Sequence, residues 1–448
     1  MLFVSALLAL TCSAAALPHV RQPIAVAVTG NGDDAVATPA PVPEMQVLFH
    51  KNKAESIYIT TSVTFPDGSG GSSSEPWIVA STGQNEAPPL EIEAFVARSG
   101  VPKWTVQEAN ARTVTAGDTT ASFNCTAVDG GKDSNCQATV YDTMTQQVKW
   151  TKVFEHTEGD GVDATRGAGR EAVVNLGVST NGAFVGVFTT KVQPPCPCNS
   201  YNAQLDVFHA SSGEKQFHWE LGNATMASTL IVGTETVTVI APPSLYVVDM
   251  QGTQLWSKTF DETTEVLCAS QDGKYIAHGF QTLSVWQQQA DKTYSVVYSA
   301  SHPGSYVGAC GIVNDELVVG FNRQDYKQNT VQWVHLDGSS PTLRYSYDYP
   351  VDSASVDQDV VTDVAVSDDG LFASVSSWGG SNQIAPTINL FSQTVSSPVA
   401  AYMSPGSMWS TDIAVKGSSV YVTACGKHVP ANERGYGGDL YSLLYTSK

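Results

Sequence analysis

Glu93-Ala-Phe-Val-Ala-Arg-Ser-Gly-Val-Pro-Lys-Trp104 reads as a hairpin: an apolar strand, a Ser-Gly turn, and an aromatic four residues beyond the glycine. The pattern returns as Thr139-Val-Tyr-Asp-Thr-Met-Thr-Gln-Gln-Val-Lys-Trp150. Looser copies are Leu205-Asp-Val-Phe-His-Ala-Ser-Ser-Gly-Glu-Lys-Gln-Phe217 and Leu245-Tyr-Val-Val-Asp-Met-Gln-Gly-Thr-Gln-Leu-Trp256. A second element precedes the hairpin, with two strands around an Asn-Gly or Asp-Gly turn. It appears as Val178-Ser-Thr-Asn-Gly-Ala-Phe-Val-Gly186, Ala269-Ser-Gln-Asp-Gly-Lys-Tyr-Ile-Ala-His-Gly279 and Val366-Ser-Asp-Asp-Gly-Leu-Phe-Ala-Ser374. Asn-Gly and Asp-Gly supply the positive φ angles that tight hairpins need. Together the two elements make a four-stranded antiparallel blade. Its return every roughly 40 to 50 residues is the mark of a β-propeller.

Third strands fall near Ile92, Val140, Leu205, Leu245, Leu283, Val331, Ile388 and Leu440, which predicts eight blades. Seven remains open if the first or second repeat is not a blade of its own. The eighth lacks a fourth strand before the chain stops at Lys448. Met45-Gln-Val-Leu-Phe49 is an unassigned strand that would supply it, closing the ring with strands from both ends and removing an exposed edge. The expected fold is all-β, a single propeller domain over 45–448.

The chain begins with an apolar run, Met1-Leu-Phe-Val-Ser-Ala-Leu-Leu-Ala-Leu10, followed by small residues up to Ala16. This reads as a secretory signal over 1–16, although its start lacks Lys or Arg. It is too short to cross a bilayer, which takes about 20 apolar residues. Residues 17–44, rich in Pro and Ala, read as a linker or disordered lead-in. The expectation is a secreted monomer with no membrane span.

A formal charge of −20 with only 15% charged residues argues against a nucleic-acid partner, which demands a basic face. Of the eight cysteines, Cys12 lies in the signal and leaves an odd seven. Cys125 and Cys136 flank a hairpin-like loop and are the best disulfide pair. Cys268 and Cys310 occupy equivalent points of consecutive repeats, as a disulfide or as two buried thiols. The sequons Asn124-Cys-Thr126 and Asn223-Ala-Thr225 are candidate glycosylation sites.

The Gly-to-Trp hairpins at Trp104, Trp150 and Trp256 resemble the blades of quinoprotein alcohol dehydrogenase-like propellers, in which the Trp docks between neighbouring blades. The resemblance is partial at Phe217 and loses its spacing after residue 280. It implies core packing for these Trp residues, Trp256 included. Some members of that family bind pyrroloquinoline quinone and Ca²⁺, and many similar propellers bind nothing and serve as scaffolds.

Tight turns at one end of each blade leave the long connections on the other, and elaborated loops on a rigid scaffold are where function concentrates. Candidates on that face are Arg166, Arg170, Cys196, Cys198, Arg323, Trp378, Lys427, His428 and Arg434. Cys196-Pro-Cys198 loosely resembles the vicinal disulfide that some quinoproteins place against the cofactor. It also reads as a structural loop staple. The acidic run Asp352, Asp357, Asp359 and Asp363 offers oxygen ligands for Ca²⁺, without the spacing of an EF-hand. No phosphate-binding loop, nucleophile elbow or His-Glu-x-x-His is present, and no His pair has metal-ligand spacing. The sequence therefore points to a non-enzymatic scaffold binding a protein, peptide or glycan through its loop face. The alternative is a quinoprotein-like oxidoreductase.

Overall fold

The computed structural model describes residues 42–53, 56–65, 75–83, 91–107, 112–128, 133–157, 175–192, 201–223, 229–241, 244–260, 266–326, 328–337, 340–349, 360–378, 387–427 and 437–447. Within them the secondary structure is entirely β, with no helix. The strands form eight four-stranded antiparallel blades. Blade 1 covers 57–107, blade 2 112–157, blade 3 175–223, blade 4 229–259, blade 5 266–301, blade 6 305–348 and blade 7 361–402. Blade 8 takes three strands from 408–446 and its fourth, Gln46–Lys53, from near the N-terminus. Each inner strand contacts the next, and Met408–Lys416 of blade 8 returns to Ile57–Thr64 of blade 1.

The blade turns repeat a small piece of chemistry. Ser179, Ser270 and Ser367 each donate their hydroxyl to the Asx two residues on (Asn181, Asp272 and Asp369) at 2.6–2.7 Å. Each serine oxygen also accepts the N–H of the residue opening the next strand, Phe184, Tyr275 or Phe372. The following glycines, Gly182, Gly273 and Gly370, take φ near +70° (68°, 71° and 71°), which L-residues adopt only at a cost. Ser-x-Asx-Gly is therefore a self-contained turn that needs no tertiary help.

The second hairpin joins blade to blade. Trp104 of blade 1 donates its indole N–H to Thr143 O in a turn of blade 2, at 2.8 Å. Trp150 of blade 2 repeats this on Ala210 O of blade 3, at 2.9 Å. Both rings are buried. A Cβ on Gly213 would sit 2.7 Å from the Trp150 ring, so the glycine answers both the turn and the docked aromatic. Phe217 meets Gly252 and Phe49 meets Gly100 in the same way. Trp256 departs from the expectation of core packing. It is half-buried, resting on Trp286 at 5.1 Å and Tyr294 at 5.2 Å, and the turn of blade 5 carries Lys292 at the left-handed position. Beyond it, Tyr345 of blade 6 takes over the bridging role, donating its hydroxyl to Ser392 O of blade 7.

Closure is as the sequence suggested. Gln46–Lys53 pairs antiparallel with Gly438–Thr446, from Gln46 opposite Leu444 to Lys53 opposite Gly438. Lys51 and Lys53 reach across to blade 1, pairing with the buried Glu93 at 2.6 and 3.2 Å. Residues 1–41, which include the signal and most of the lead-in, lie outside the described residues. Met45 N donates to Ala401 O and Ala401 N to Pro43 O, so the chain already pairs with blade 7 before the closing strand begins.

Candidate functional site

Two places on the ring concentrate polar chemistry: the inner strands, and the ends of the blades that carry the long connections.

Along the inner strands, neighbouring blades are fastened one to the next. Blades 5 and 6 are joined by a disulfide between Cys268 and Cys310, whose Cα atoms are 5.8 Å apart. Between blades 6 and 7, Asn322 brackets Val361, accepting its N–H at 2.6 Å and donating to its carbonyl at 3.2 Å. Between blades 7 and 8, Asp363 Oδ2 accepts Thr411 N–H at 3.0 Å. Between blades 8 and 1, Asp412 Oδ2 accepts Val63 N–H at 2.8 Å. The other oxygen of each carboxylate takes the N–H of the next residue in its own strand, Val364 or Ile413.

The two aspartates occupy matching places in one short repeat, Thr362-Asp-Val-Ala-Val366 and Thr411-Asp-Ile-Ala-Val415, one blade apart. Both retain some exposed surface yet are ringed by protein. Burial pushes Asp363 up to about 6 against the opposing pull of its N–H donors. It pushes Asp412 up to about 7, with the charges of Asp368 and Asp363 adding to the rise. Both oxygens of each are committed to backbone donors, so the pair fastens strands and offers no free general base. Hydroxyls continue the seam: Ser374 meets Thr411 at 2.6 Å, and Thr61 of blade 1 meets Thr423 of blade 8 at 2.8 Å. Cys425, the free thiol among the described residues, is buried here, and its pKa is driven up by loss of solvation.

On the loop-bearing face, Trp378 follows the second strand of blade 7 and Trp409 opens the inner strand of blade 8. Their rings lie 6.0 Å apart, both half-buried. Trp409 is anchored by its indole N–H on Tyr58 O of blade 1, at 2.6 Å. Around blades 5 and 6, Phe280 stacks on Tyr306 at 5.4 Å, and Tyr306 meets Tyr326 edge-on at 6.2 Å. Tyr326 is held in the left-handed region at φ 58°. Trp378 was expected on this face from the sequence; Trp409, Tyr306 and Tyr326 were not. Each of these is an isolated aromatic at a strand end or in a turn, and no local pattern separates it from core.

Arg323 lies on this face as expected, but it is not a free cation. Its Nε donates to Asp325 Oδ1 at 2.7 Å and its Nη1 to Gln328 at 3.3 Å. Lys427 ends the second strand of blade 8, where its backbone N–H reaches Ser407 O. Asp363 was grouped with an acidic loop and instead belongs to the inner strand of blade 7. Arg166, Arg170, Cys196, Cys198, Asp352, Asp357, Asp359, His428 and Arg434 lie outside the described residues. Cys125 and Cys136 are register partners in the second and third strands of blade 2, and Cys136 is disulfide-bonded. Asn124 sits within that strand opposite Gln137, with its amide oxygen buried, and Asn223 ends the outer strand of blade 3. Among the described residues no three His, Cys, Asp or Glu side chains come together to hold a metal ion.

No known protein family matches the sequence, and no curated protein matches it. Solved structures do. Saccharomyces cerevisiae Sqt1 aligns at a TM-score of 0.57 with 9% identity, covering 90% of this chain and 99% of that one. The Myceliophteria thermophila Cps50 (Swd1) beta-propeller domain aligns at 0.44 with 12% identity, covering 74% and 98%. KlHsv2 with loop 6CD replaced by a Gly-Ser linker aligns at 0.42 with 8% identity, covering 88% and 98%. At such identities the likeness speaks to the propeller fold alone.

Proposed function

We propose that this chain is a secreted, non-enzymatic binding scaffold that takes a protein, peptide or glycan on its loop-bearing face. The observation that supports this best is the half-exposed Trp378–Trp409 pair at the mouth of blades 7 and 8. Paired indoles offer a large, rigid contact surface at little entropic cost, and Trp and Tyr carry much of the binding energy where proteins meet ligands. The Phe280–Tyr306–Tyr326 cluster extends the same kind of surface over blades 5 and 6. The acidic balance of the chain turns the reading away from nucleic acid.

The test compares wild type, Trp378→Ala and the opposite-face control Leu371→Asp against a glycan array and against partners co-purified from the culture medium. The reading expects Trp378→Ala to lose about tenfold or more in affinity and Leu371→Asp to bind normally. Equal binding by all three would rule it out. Secretion is tested separately by sequencing the exported protein, whose mature N-terminus should lie at Leu17.

The quinoprotein alternative rests on the hairpin resemblance, Cys196/Cys198 and the Asp352–Asp359 loop. A titration with pyrroloquinoline quinone, with and without Ca²⁺, decides it. Saturable Ca²⁺-dependent binding would replace the scaffold reading.

A further inference from the structure

The opposite face, formed by the short turns, carries a cavity of about 310 Å³ between blades 4 and 5. Thr236, Met250 and Leu255 line it, with Glu235, Asp249 and Lys292 supplying charge. None of these three charged groups forms an ion pair among the described residues. Asp249 spends Oδ1 on its own turn, accepting the N–H groups of Gln251 and Thr253 at 2.9 and 2.8 Å. Its second oxygen remains uncommitted. Glu235 and Lys292 are both exposed.

Lys292 is the unexpected member. It occupies the left-handed turn position, φ 66°, that corresponds to Gly100, Gly213 and Gly252 in other blades. Holding a side chain there costs about 1–2 kcal/mol relative to glycine. Gln146 is the other departure, and its amide is used, donating to Thr105 O at 3.2 Å. The ammonium of Lys292 has no such use within the described fold. Strain retained at a cavity wall is a pointer to a ligand.

We propose that this cavity receives the C-terminal residue of a partner polypeptide ending in arginine or lysine. The basic side chain enters toward Glu235 and Asp249, and the terminal carboxylate meets Lys292 at the rim. Charge-assisted bonds of this kind are the strong ones; an arginine fork can meet a carboxylate through two parallel N–H···O bonds, and a lysine ammonium meets it as a point charge. The chain's net charge of −20 draws a basic tail toward it from a distance.

The experiment follows the methyl resonance of Met250 in protein labelled at methionine methyl groups, assigned with Met250→Leu. The probes are Nα-acetyl-arginine, its amide, Nα-acetyl-glutamine and free L-arginine. Nα-acetyl-arginine should move the Met250 signal saturably, about tenfold more tightly than its amide, while Nα-acetyl-glutamine leaves it in place. Lys292→Ala should erase the difference between acid and amide, and Glu235→Gln should weaken both. An unmoved Met250 at about 10 mM probe, a response to glutamine equal to that to arginine, or titrations unchanged in both variants would overturn the proposal. So would a clear preference for free L-arginine, which would make the ligand an amino acid rather than a polypeptide end. Because the probes address the short-turn face, the result is independent of Trp378.

Discussion

The seam between blades 5 and 6 and the seams that close the ring at blades 7, 8 and 1 face the same mechanical problem and meet it differently. The first is covalent and apolar. Cys268 and Cys310 are bonded within a cluster that includes Tyr275, Leu283, Ile312 and Phe321. The closing seams rest on Asp363, Asp412 and a run of hydroxyls, with a Lys51–Glu93 pair outside them. A disulfide and buried hydrocarbon are indifferent to pH over the usual range. Carboxylates held above their ordinary pKa are not. The comparison teaches that the ring is fastened most rigidly in mid-chain and most conditionally where its two ends meet.

The largest expected effect would test the covalent side. Replacing Cys268 and Cys310 together with alanine opens a link across 42 residues and should cost about 4 kcal/mol by the chain-entropy model. Urea denaturation of the double variant measures it. A loss well below about 1 kcal/mol would show that the apolar cluster alone holds that seam.

The next prediction concerns the neighbouring seam of blades 4 and 5. His278 is buried with neither ring nitrogen partnered, packed 3.9 Å from the Phe260 ring. Burial, with the charge of Lys258 adding to it, lowers its pKa from 6.5 to about 4. The unfolded chain therefore takes up the proton first as pH falls. Stability should drop between pH 6.5 and 4 by on the order of 3 kcal/mol from this group. His278→Leu should flatten that acid limb. An unchanged pH profile would place the acid sensitivity elsewhere.

Trp256→Ala should cost only about 1–2 kcal/mol, below the roughly 3–5 of a fully buried aromatic, because its ring is half-exposed. Trp150→Ala in the same assay supplies the buried reference and should fall in the higher range. Equal losses would mean that Trp256 is packed as tightly as its counterpart.

The last prediction has the opposite sign from the histidine. The raised pKa of Asp412 means the unfolded chain ionises first as pH rises above 3.8, and stability is lost up to about pH 7. Asp412→Asn keeps an amide oxygen for Val63 N–H but gives up the acceptor for Ile413 N–H, so its melting temperature relative to wild type should be higher at pH 8 than at pH 4. A loss at pH 8, where the carboxylate is ionised, would show that the charge itself fastens blades 8 and 1.

Much of this architecture is legible because its signals are local. Ser-x-Asx-Gly needs only its own hydroxyl, carboxylate and glycine to turn the chain. The third strands near Ile92 through Leu440 each carry enough alternation to be placed one by one. The missing fourth strand at the C-terminus likewise implied the closing strand at Met45–Phe49. The site was harder to see. Thr-Asp-x-Ala-Val appears twice, but nothing in a single copy says that its carboxylate serves the backbone of the next blade. Trp409, Tyr306 and Tyr326 stand at ordinary strand ends and turns, and Lys292 looks like any exposed turn residue until its φ angle and the cavity beside it are known.

Turn chemistry and strand periodicity act over a few residues, so the sequence by itself determined the all-β blades and the strand that closes the ring, and it left the choice between eight blades and seven to the strand pairing. Which aspartates fasten neighbours, which tryptophans face each other at the mouth, and which charges share a cavity depend on residues separated by a full blade or more. Those were decided only when the ring closed and brought the inner strands and turns of adjacent blades into contact.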